Sequence, residues 1–142
     1  MAISDSLCKQ IQEITGKEHI SRQKEELLCY SYDATGIRFI PDAVVFPGSE
    51  QEVSKIAALA SQNGIILVPR GAGTGMTGGS IPVSGGLVVV FSRMNNIIEI
   101  DENNFTARVQ PGLIVSDLHE LVEKKKLFYP PDPSSSSICT IG

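Results

Sequence analysis

The chain has 142 residues, of which 42% are hydrophobic and 20% are charged, a composition typical of one folded domain. Its formal net charge of −4, from 12 basic and 16 acidic side chains, argues against nucleic acid as the main partner. No apolar run approaches the roughly 20 residues that a membrane-spanning helix needs, and the N-terminus lacks a secretory leader pattern. The widely spaced Cys8, Cys29 and Cys139 fit a reduced, cytoplasmic protein and provide no metal-ligand spacing, so we expect no metal site.

The first 40 residues predict a small N-terminal helical segment. Leu7, Ile11 and Ile14 recur at helical spacing, and Gly16 follows as a helix stop. A second helix is expected after Ser21, and the stretch YSYDATG at 30–36 is irregular. We therefore separate residues 1–40 from residues 41–142.

Residues 43–68 predict a strand–helix–strand unit. AVVF at 43–46 and IILV at 65–68 are short apolar runs, typical of buried parallel strands. Between them, Ser49 and Glu52 form a capping-box pattern at the start of a helix. The apolar face of that helix is expected to comprise Val53, Ile56, Ala57 and Ala60.

The second half predicts one more buried strand, a hairpin and a helix. GLVVVFS at 86–92 is the strand. Ile98 and Ile100, and after the turn DENN also Phe105, Ala107 and Val109, alternate with polar residues, which predicts a half-buried hairpin extending the sheet. A helix at about 114–126 ends in three lysines, and the prolines of YPPDPSSSS then exclude a helix. The chain stops at ICTIG without a polar tail, so we expect it to be part of a longer protein.

The segment VPRGAGTGMTGG has five glycines between Gly71 and Gly79, directly after the second predicted strand. Ligands of open α/β sheets bind at the carboxyl ends of the strands, where this loop lies. Gly73, Gly75 and Gly78 match G-x-G-x-x-G, but GSIPVSGG follows instead of the helix that a dinucleotide fingerprint requires. The Walker pattern is absent. We expect a helix-free nest in which backbone amides bind phosphate oxygens; the alternative is a surface turn without a ligand.

Side chains in and beyond the loop leave several interpretations open. Arg70 and the hydroxyls of Thr74, Thr77 and Ser80 can add donors to the nest, although Arg70 fits a structural salt bridge equally well. Asp132 suits either a cofactor hydrogen bond or a turn. We expect His119 to be an exposed helix residue and Cys139 a small buried apolar one.

Taken together, the segment from Pro41 through the glycine loop, VVFSRMNNIIEID, VQPG, PPDP and TIG resembles the FAD-binding domain of the vanillyl-alcohol oxidase/p-cresol methylhydroxylase (PCMH) type of flavoprotein. The resemblance is strongest to the branch that contains the glycolate oxidase flavin subunit and the FAD-linked D-lactate dehydrogenases. It implies an α+β fold, namely the first lobe of a PCMH-type FAD-binding domain: a small mixed sheet made of a β-α-β unit and a hairpin, with flanking helices. Residues 41–142 would form that domain in incomplete form, with its remainder and a substrate domain beyond the chain.

The resemblance also implies the cofactor-binding residues. In such proteins the loop matching 69–75 wraps the pyrophosphate, the next glycines continue along the cofactor, and the later segments line the flavin side. The positions implied here are Pro69, Arg70, Gly71, Ala72, Gly73, Thr74, Gly75, Gly78, Gly79, Ser80, Pro111, Gly112, Asp132, Ser136, Ser137, Thr140 and Gly142. Some members attach FAD through a histidine or cysteine, and residues 70–80 contain neither, so we expect noncovalent FAD.

The activity that this resemblance implies is oxidation of a small 2-hydroxy acid, glycolate or D-lactate, by hydride transfer to the flavin. Electrons would then pass to an acceptor that the sequence does not identify, with partner subunits as candidates. The catalytic residues are expected beyond Gly142, so the chain alone would be inactive. We expect a cytoplasmic location, with the full-length complex a candidate for the inner face of the membrane. The alternatives are another PCMH-type flavoprotein, such as a cell-wall precursor reductase, and a non-catalytic nucleotide- or phosphate-binding module.

Overall fold

The computed structural model describes residues 3–142 and confirms an α+β architecture. Its helices and strands alternate through the first 70 residues, and a further strand, a hairpin and a last helix follow. In chain order the elements are α1 (Asp5–Thr15), a 3-10 turn (Lys17–His19), β1 (Ile20–Ser21), α2 (Lys24–Cys29), β2 (Ala43–Val45), α3 (Glu50–Gln62), β3 (Leu67–Arg70), β4 (Leu87–Val90), β5 (Ile97–Asp101), β6 (Thr106–Val109) and α4 (Val115–Lys124).

The main sheet is mixed, with the strand order β1-β2-β4-β3. Strands β2, β4 and β3 are parallel, and β1 pairs with β2 in the antiparallel sense. The predicted strand–helix–strand unit is present as β2-α3-β3, but β4 lies between its two strands. The carboxyl ends of β2, β4 and β3 therefore meet at one edge of the sheet, and the glycine loop leaves from that edge.

Both faces of the central strands are covered, which explains why their sequences are uninterrupted apolar runs. Alternate residues point to opposite faces. One face contacts α1 and α3, whereas the other lies against α2 and the aromatic residues around it. The first cluster contains Leu7, Ile11, Ala43, Val45, Ile56, Leu87 and Val89, and the second contains Leu27, Val44, Val68, Val88 and Val90.

Helix α3 begins at the predicted cap. The Ser49 hydroxyl accepts a hydrogen bond from the Glu52 amide at 3.2 Å. The Glu52 carboxylate in turn accepts from the amide of Gly48, one residue before the cap, at 2.8 Å. Ile56 is buried as expected, but the prediction for Ala57 was wrong because it faces solvent. The buried stripe is narrower than the sequence indicates.

Strand β3 begins two residues later than its apolar run. The Ile65 amide donates to the Ala60 carbonyl at 2.9 Å and so belongs to the end of α3. Because β3 is an edge strand, bonded to β4 alone, it tolerates Pro69, which has no amide hydrogen to donate. The same edge position leaves Ile66 exposed.

The prediction that the hairpin extends the main sheet was wrong. Strands β5 and β6 form their own two-stranded antiparallel sheet. A register shift between Ile97 and Glu99 breaks the alternation, so Ile97 and Ile100 face inward while Ile98 is exposed. Ile97 and Ile100, together with Val109, pack against a buried cluster of Leu113, Leu118 and Val122 in and just before α4. Phe105 and Ala107, also expected inside, are exposed.

Candidate functional site

The glycine loop, residues 71–80, leaves the carboxyl end of β3 and contains no helix, as expected. Among residues 3–142, no group accepts a hydrogen bond from the backbone amides of residues 73–80. Buried backbone donors are normally paired, and exposed ones bind water or a ligand. Successive backbone amides without a protein acceptor, all facing one cavity, are the arrangement known as an anion-binding nest.

The last three residues lie directly against the start of this loop. The Ala72 amide donates to Thr140 Oγ1 at 3.2 Å, and that hydroxyl donates to the Gly142 carbonyl at 2.9 Å. A Cβ atom added at Gly71 would lie 2.0 Å from Thr140 Oγ1 and 2.3 Å from the Gly142 oxygen. Gly71 is therefore required by a close approach of two chain segments, and it fixes the loop relative to the C-terminal segment.

Arg70 lies beneath the loop and is nearly fully buried, with 6% of its surface exposed. Its guanidinium donates to the Tyr32 carbonyl at 2.7 Å and lies 5.6 Å from the centre of the Tyr30 ring. Burial lowers the pKa of Arg70, although the group stays charged at neutral pH. It forms no salt bridge with any residue between 3 and 142, so the salt-bridge interpretation does not hold there.

Gly73 adopts φ +73°, a conformation that favours glycine. A Cβ atom here would lie 2.2 Å from Nη2 of Arg70. The loop therefore descends onto the guanidinium at this position. The arrangement places a buried positive charge directly below the free amides, where a bound anion would compensate it.

Asp33 is the second buried charged group at the loop, with 4% of its surface exposed. One carboxylate oxygen, Oδ1, accepts from the amide and the hydroxyl of Thr35 at 2.9 Å and 2.6 Å. These bonds, the Thr35 hydroxyl first and the charge of Arg70 among the smaller effects, hold the pKa of Asp33 below its usual value. The other oxygen, Oδ2, is buried and has no partner among the described residues.

A cavity of about 320 Å³ collects most of the predicted cofactor-binding residues. That volume is at the lower end of the range for small-molecule sites. It is lined by Asp33, Pro69, Gly71, Ala72, Gly73, Thr74, Gly75, Thr77, Gly79, Ser80, Thr140 and Gly142. Of the other predicted residues, Arg70 lies beneath the cavity and Gly78 belongs to the same loop.

The remaining five predicted residues lie outside both the cavity and the loop. Gly112 is buried and donates to the Met94 carbonyl at 2.8 Å, and the carbonyl of Pro111 accepts from the Gly142 amide at 2.8 Å. The Ser136 carbonyl accepts from the Ser116 amide at 3.0 Å, whereas Asp132 and Ser137 are exposed. Their cofactor role remains a prediction. In this structure Pro111 and Ser136 connect the C-terminal segment to α4 and the residues before it, and Gly112 contacts the loop after β4.

Sequence reasoning missed Asp33 as a site residue. It lies 37 residues before Arg70 in the chain, in a stretch that has no periodic pattern. The only local signal was the Asp33–Thr35 spacing of an Asx turn, which is common in ordinary loops. Thr77 was considered as a donor only, and it lines the cavity.

Other predictions outside the loop had mixed outcomes. Cys139 is buried, as expected for a small apolar side chain. His119 was expected to be exposed, which was wrong: it is half-buried, contacts Tyr129, and its Nε2 lies 2.9 Å from the Pro131 carbonyl. That contact helps to attach the proline-rich segment to α4. In the described part of the chain, no helix has both the length and the apolar character needed to cross a bilayer.

The site can bind an anion, and the residues between 3 and 142 that line it include no arranged pair of nucleophile and base. Free amides, hydroxyls on Thr74, Thr77 and Ser80, and the buried cation below them fit the oxygens of a phosphate or diphosphate. Fold and site together define an α+β domain with a helix-free glycine loop, whose free amides are of the kind that bind phosphate oxygens.

Residues 41–142 match the family model described as the FAD binding domain. The chain therefore belongs to this FAD-binding family, and FAD is the cofactor of the domain. The residues present fit a dinucleotide, because the free amides, the positive φ at Gly73 and the buried Arg70 are what a diphosphate would use.

The chain is also similar to curated flavoproteins. It is 47% identical over 141 residues to the glycolate oxidase subunit GlcD of Bacillus subtilis, covering 99% of this chain and 30% of that protein. It is 36% identical over 102 residues to a D-lactate dehydrogenase of Anaerostipes hadrus, covering 72% of this chain and 21% of that protein. The chain thus spans less than a third of the length of these relatives.

Solved structures share the fold. An alkyldihydroxyacetonephosphate synthase superposes with a TM-score of 0.88 at 21% identity, over 98% of this chain and 28% of that one. A p-cresol methylhydroxylase superposes with a TM-score of 0.75 at 19% identity, over 87% of this chain and 25% of that one. At such identities the likeness shows the architecture alone, and it confirms the PCMH-type fold.

Proposed function

We propose that this chain is the FAD-binding part of an oxidoreductase that oxidises a small 2-hydroxy acid, glycolate or D-lactate. The observation that carries the proposal is the 47% identity to a glycolate oxidase subunit along nearly the whole chain, including the loop of free amides. The similarity to a D-lactate dehydrogenase supports the same substrate class.

In this proposal the chain binds and orients the cofactor. Bound flavin supplies the hydride acceptor for the substrate Cα–H. The amides of residues 73–80 and the hydroxyls of Thr74, Thr77 and Ser80 hold the diphosphate, and Arg70 balances its charge from below. Thr140 and Gly142 close the loop on its other side. The groups that position the acid and accept its proton belong to the part of the protein beyond residue 142.

The cofactor is held noncovalently in this proposal. Residues 70–80 contain no histidine or cysteine that could form a bond to the flavin. Denaturation of the full-length protein should therefore release all of its FAD into the supernatant. Yellow colour that stays with the precipitated chain would contradict this.

The relatives named as glycolate oxidase subunits support an assembly with partner subunits, to which the electrons would pass. A cytoplasmic location is part of the same proposal. Purification of the full-length protein from its native cells, followed by a test for co-purifying redox subunits, would check both.

The direct test uses the full-length protein under anaerobic conditions. Separate additions of glycolate, D-lactate and D-2-hydroxyglutarate, with L-lactate as the stereochemical control, should bleach the flavin absorbance with at least one of the first three. A yellow protein that no hydroxy acid bleaches would favour another flavoprotein of this architecture, such as a cell-wall precursor reductase. A colourless protein that does not bind added FAD would favour a non-catalytic phosphate-binding module.

A further inference from the structure

Asp33 Oδ2 is a buried oxygen without a partner beside the loop of free amides. The side chain lines the cavity, and its other oxygen is fully used by Thr35. Leaving a buried acceptor unpaired is costly, so an oxygen of this kind calls for a donor.

The nature of that donor follows from charge. Asp33 is ionised at neutral pH because its pKa lies below the usual value, and an ionised carboxylate only accepts hydrogen bonds. A phosphate oxygen also only accepts at its ionised positions, so the diphosphate cannot be the partner. Among the loop amides that form no hydrogen bond with the described residues, that of Gly78 lies near enough to the carboxylate to contribute to the lowered pKa of Asp33.

We propose that Asp33 is the positioning residue of the glycine loop: its Oδ2 accepts the amide of Gly78 when the loop closes, which turns the remaining amides toward the diphosphate. Oδ2 is shielded from solvent and has no partner among the described residues, so it is available to an amide of the loop that lines the same cavity. Gly78 has φ +76°, which gives the loop a sharp change of direction at this residue.

The buried cation supports the same role. Arg70 donates to the Tyr32 carbonyl, the residue next to Asp33, and supports Gly73 from below. In this proposal the segment 30–35 supports the loop at two places, because Tyr32 holds Arg70 beneath Gly73 and Asp33 would hold Gly78. Two such supports fix both ends of the turn that carries the free amides.

The test compares Asp33→Asn with wild type in the full-length protein. The asparagine side chain retains an oxygen for the two Thr35 bonds but places an NH2 group where Oδ2 was. Two hydrogen-bond donors, this NH2 group and the Gly78 amide, would then face each other without an acceptor. We expect FAD binding to weaken on the order of 10- to 100-fold, as for a buried group left unsatisfied. We also expect amides of residues 71–80 to exchange hydrogen faster in the FAD-free protein.

Thr35→Val is the matched control, because it removes only one bond to Oδ1 and leaves Oδ2 intact. Its FAD affinity should fall much less than that of Asp33→Asn. Glu13→Gln, an exposed carboxylate on α1, controls for the loss of one negative charge and should leave both measurements unchanged. If Asp33→Asn does not fold, the same measurements on Asp33→Glu should show a displaced loop with retained charge.

The inference rests on the proposed phosphate-binding role of the loop, and the outcomes separate the two. If wild type fails to bind FAD, the proposed function itself is contradicted. If wild type binds and Asp33→Asn binds equally well or more tightly, only the positioning role is overturned. A weaker affinity without faster exchange at 71–80 also overturns it, because Asp33 would then act on the ligand directly.

Discussion

Gly73 and Arg70 compete for the same small volume below the loop, and only the absence of a side chain at Gly73 allows both. The added Cβ would lie 2.2 Å from the guanidinium, which is itself held by the Tyr32 carbonyl. The position is thus constrained twice, by φ +73° and by contact. Such a constraint at a site of free amides is expected where a ligand requires one backbone shape.

Gly73→Val should abolish FAD binding by the full-length protein. The backbone strain alone costs about 1–2 kcal/mol, and the branched side chain must also displace Arg70. Isothermal titration of the apoprotein with FAD measures the effect. Gly64→Val is the matched control for backbone strain, since Gly64 has φ +63°, lies at the end of α3 away from the loop, and has no atom within 4 Å of an added Cβ. Wild-type affinity in the valine variant would contradict the assigned role of the loop.

Asp101 makes the hairpin turn sensitive to acid. Its carboxylate accepts from the Asn104 side chain at 2.7 Å and from the amides of Asn103 and Asn104, and these bonds, the side-chain bond first, lower its pKa. A pKa lowered in the folded state gives stability that is present above the unfolded value and is lost as the pH falls through the folded value.

Asp101→Asn should therefore cost stability at neutral pH and little in acid. Urea unfolding at pH 7 and at about pH 3 should give a difference from wild type that shrinks at the lower pH. The pKa of Asp33 is lowered as well, so the Asp101→Asn variant should keep part of the acid sensitivity of the wild type. If the difference in the free energy of unfolding between variant and wild type were equal at both pH values, the charge of Asp101 would not contribute to stability.

Ser49 and Glu52 determine where helix α3 begins. The two hydrogen bonds at 3.2 Å and 2.8 Å satisfy amides that no helical carbonyl can reach. The element that packs beneath the sheet is therefore fixed locally by its sequence as well as by its apolar stripe.

Ser49→Ala should lower the free energy of unfolding by about 1 kcal/mol, the usual value of a helix cap. Ser54→Ala, on the exposed surface of the same helix, should change it by less than roughly 0.5 kcal/mol. Urea denaturation of the two variants in parallel tests this. Equal effects would mean that the cap contributes nothing specific.

Elements that depend on interactions between neighbouring residues could be predicted from the sequence. Elements that depend on contacts between distant segments could not. The cap of α3, the stop at Gly16 and the buried run of β4 were predictable because each depends on neighbouring residues. The hairpin was assigned to the wrong sheet because the shift after Ile97 and the contacts with α4 are tertiary features.

The residues of the candidate site also differ in how far they could be predicted from the sequence. The glycine loop was predictable because the missing side chains are written in the sequence. Asp33 was not, since its significance arises from a contact between segments almost 40 residues apart. The loop and Thr140 meet over a still longer separation, and here the family resemblance supplied what periodicity could not.

At the level of the whole molecule, the chain covers about 30% of a relative that it matches over nearly its entire length. The cavity at the glycine loop would therefore supply only part of the proposed cofactor site. The 142-residue chain alone should bind FAD far more weakly than the full-length protein, because ordering the glycine loop costs conformational entropy that fewer contacts offset. Calorimetry on both proteins tests this, and nanomolar affinity in the isolated chain would refute it.

The most direct measurement is a crystal structure of the full-length protein with FAD. The backbone nitrogens of residues 73–80 should then include several within about 2.7–3.2 Å of diphosphate oxygens, with Arg70 still beneath Gly73. A diphosphate bound elsewhere, with these amides facing water, would contradict the central claim that this loop holds the cofactor.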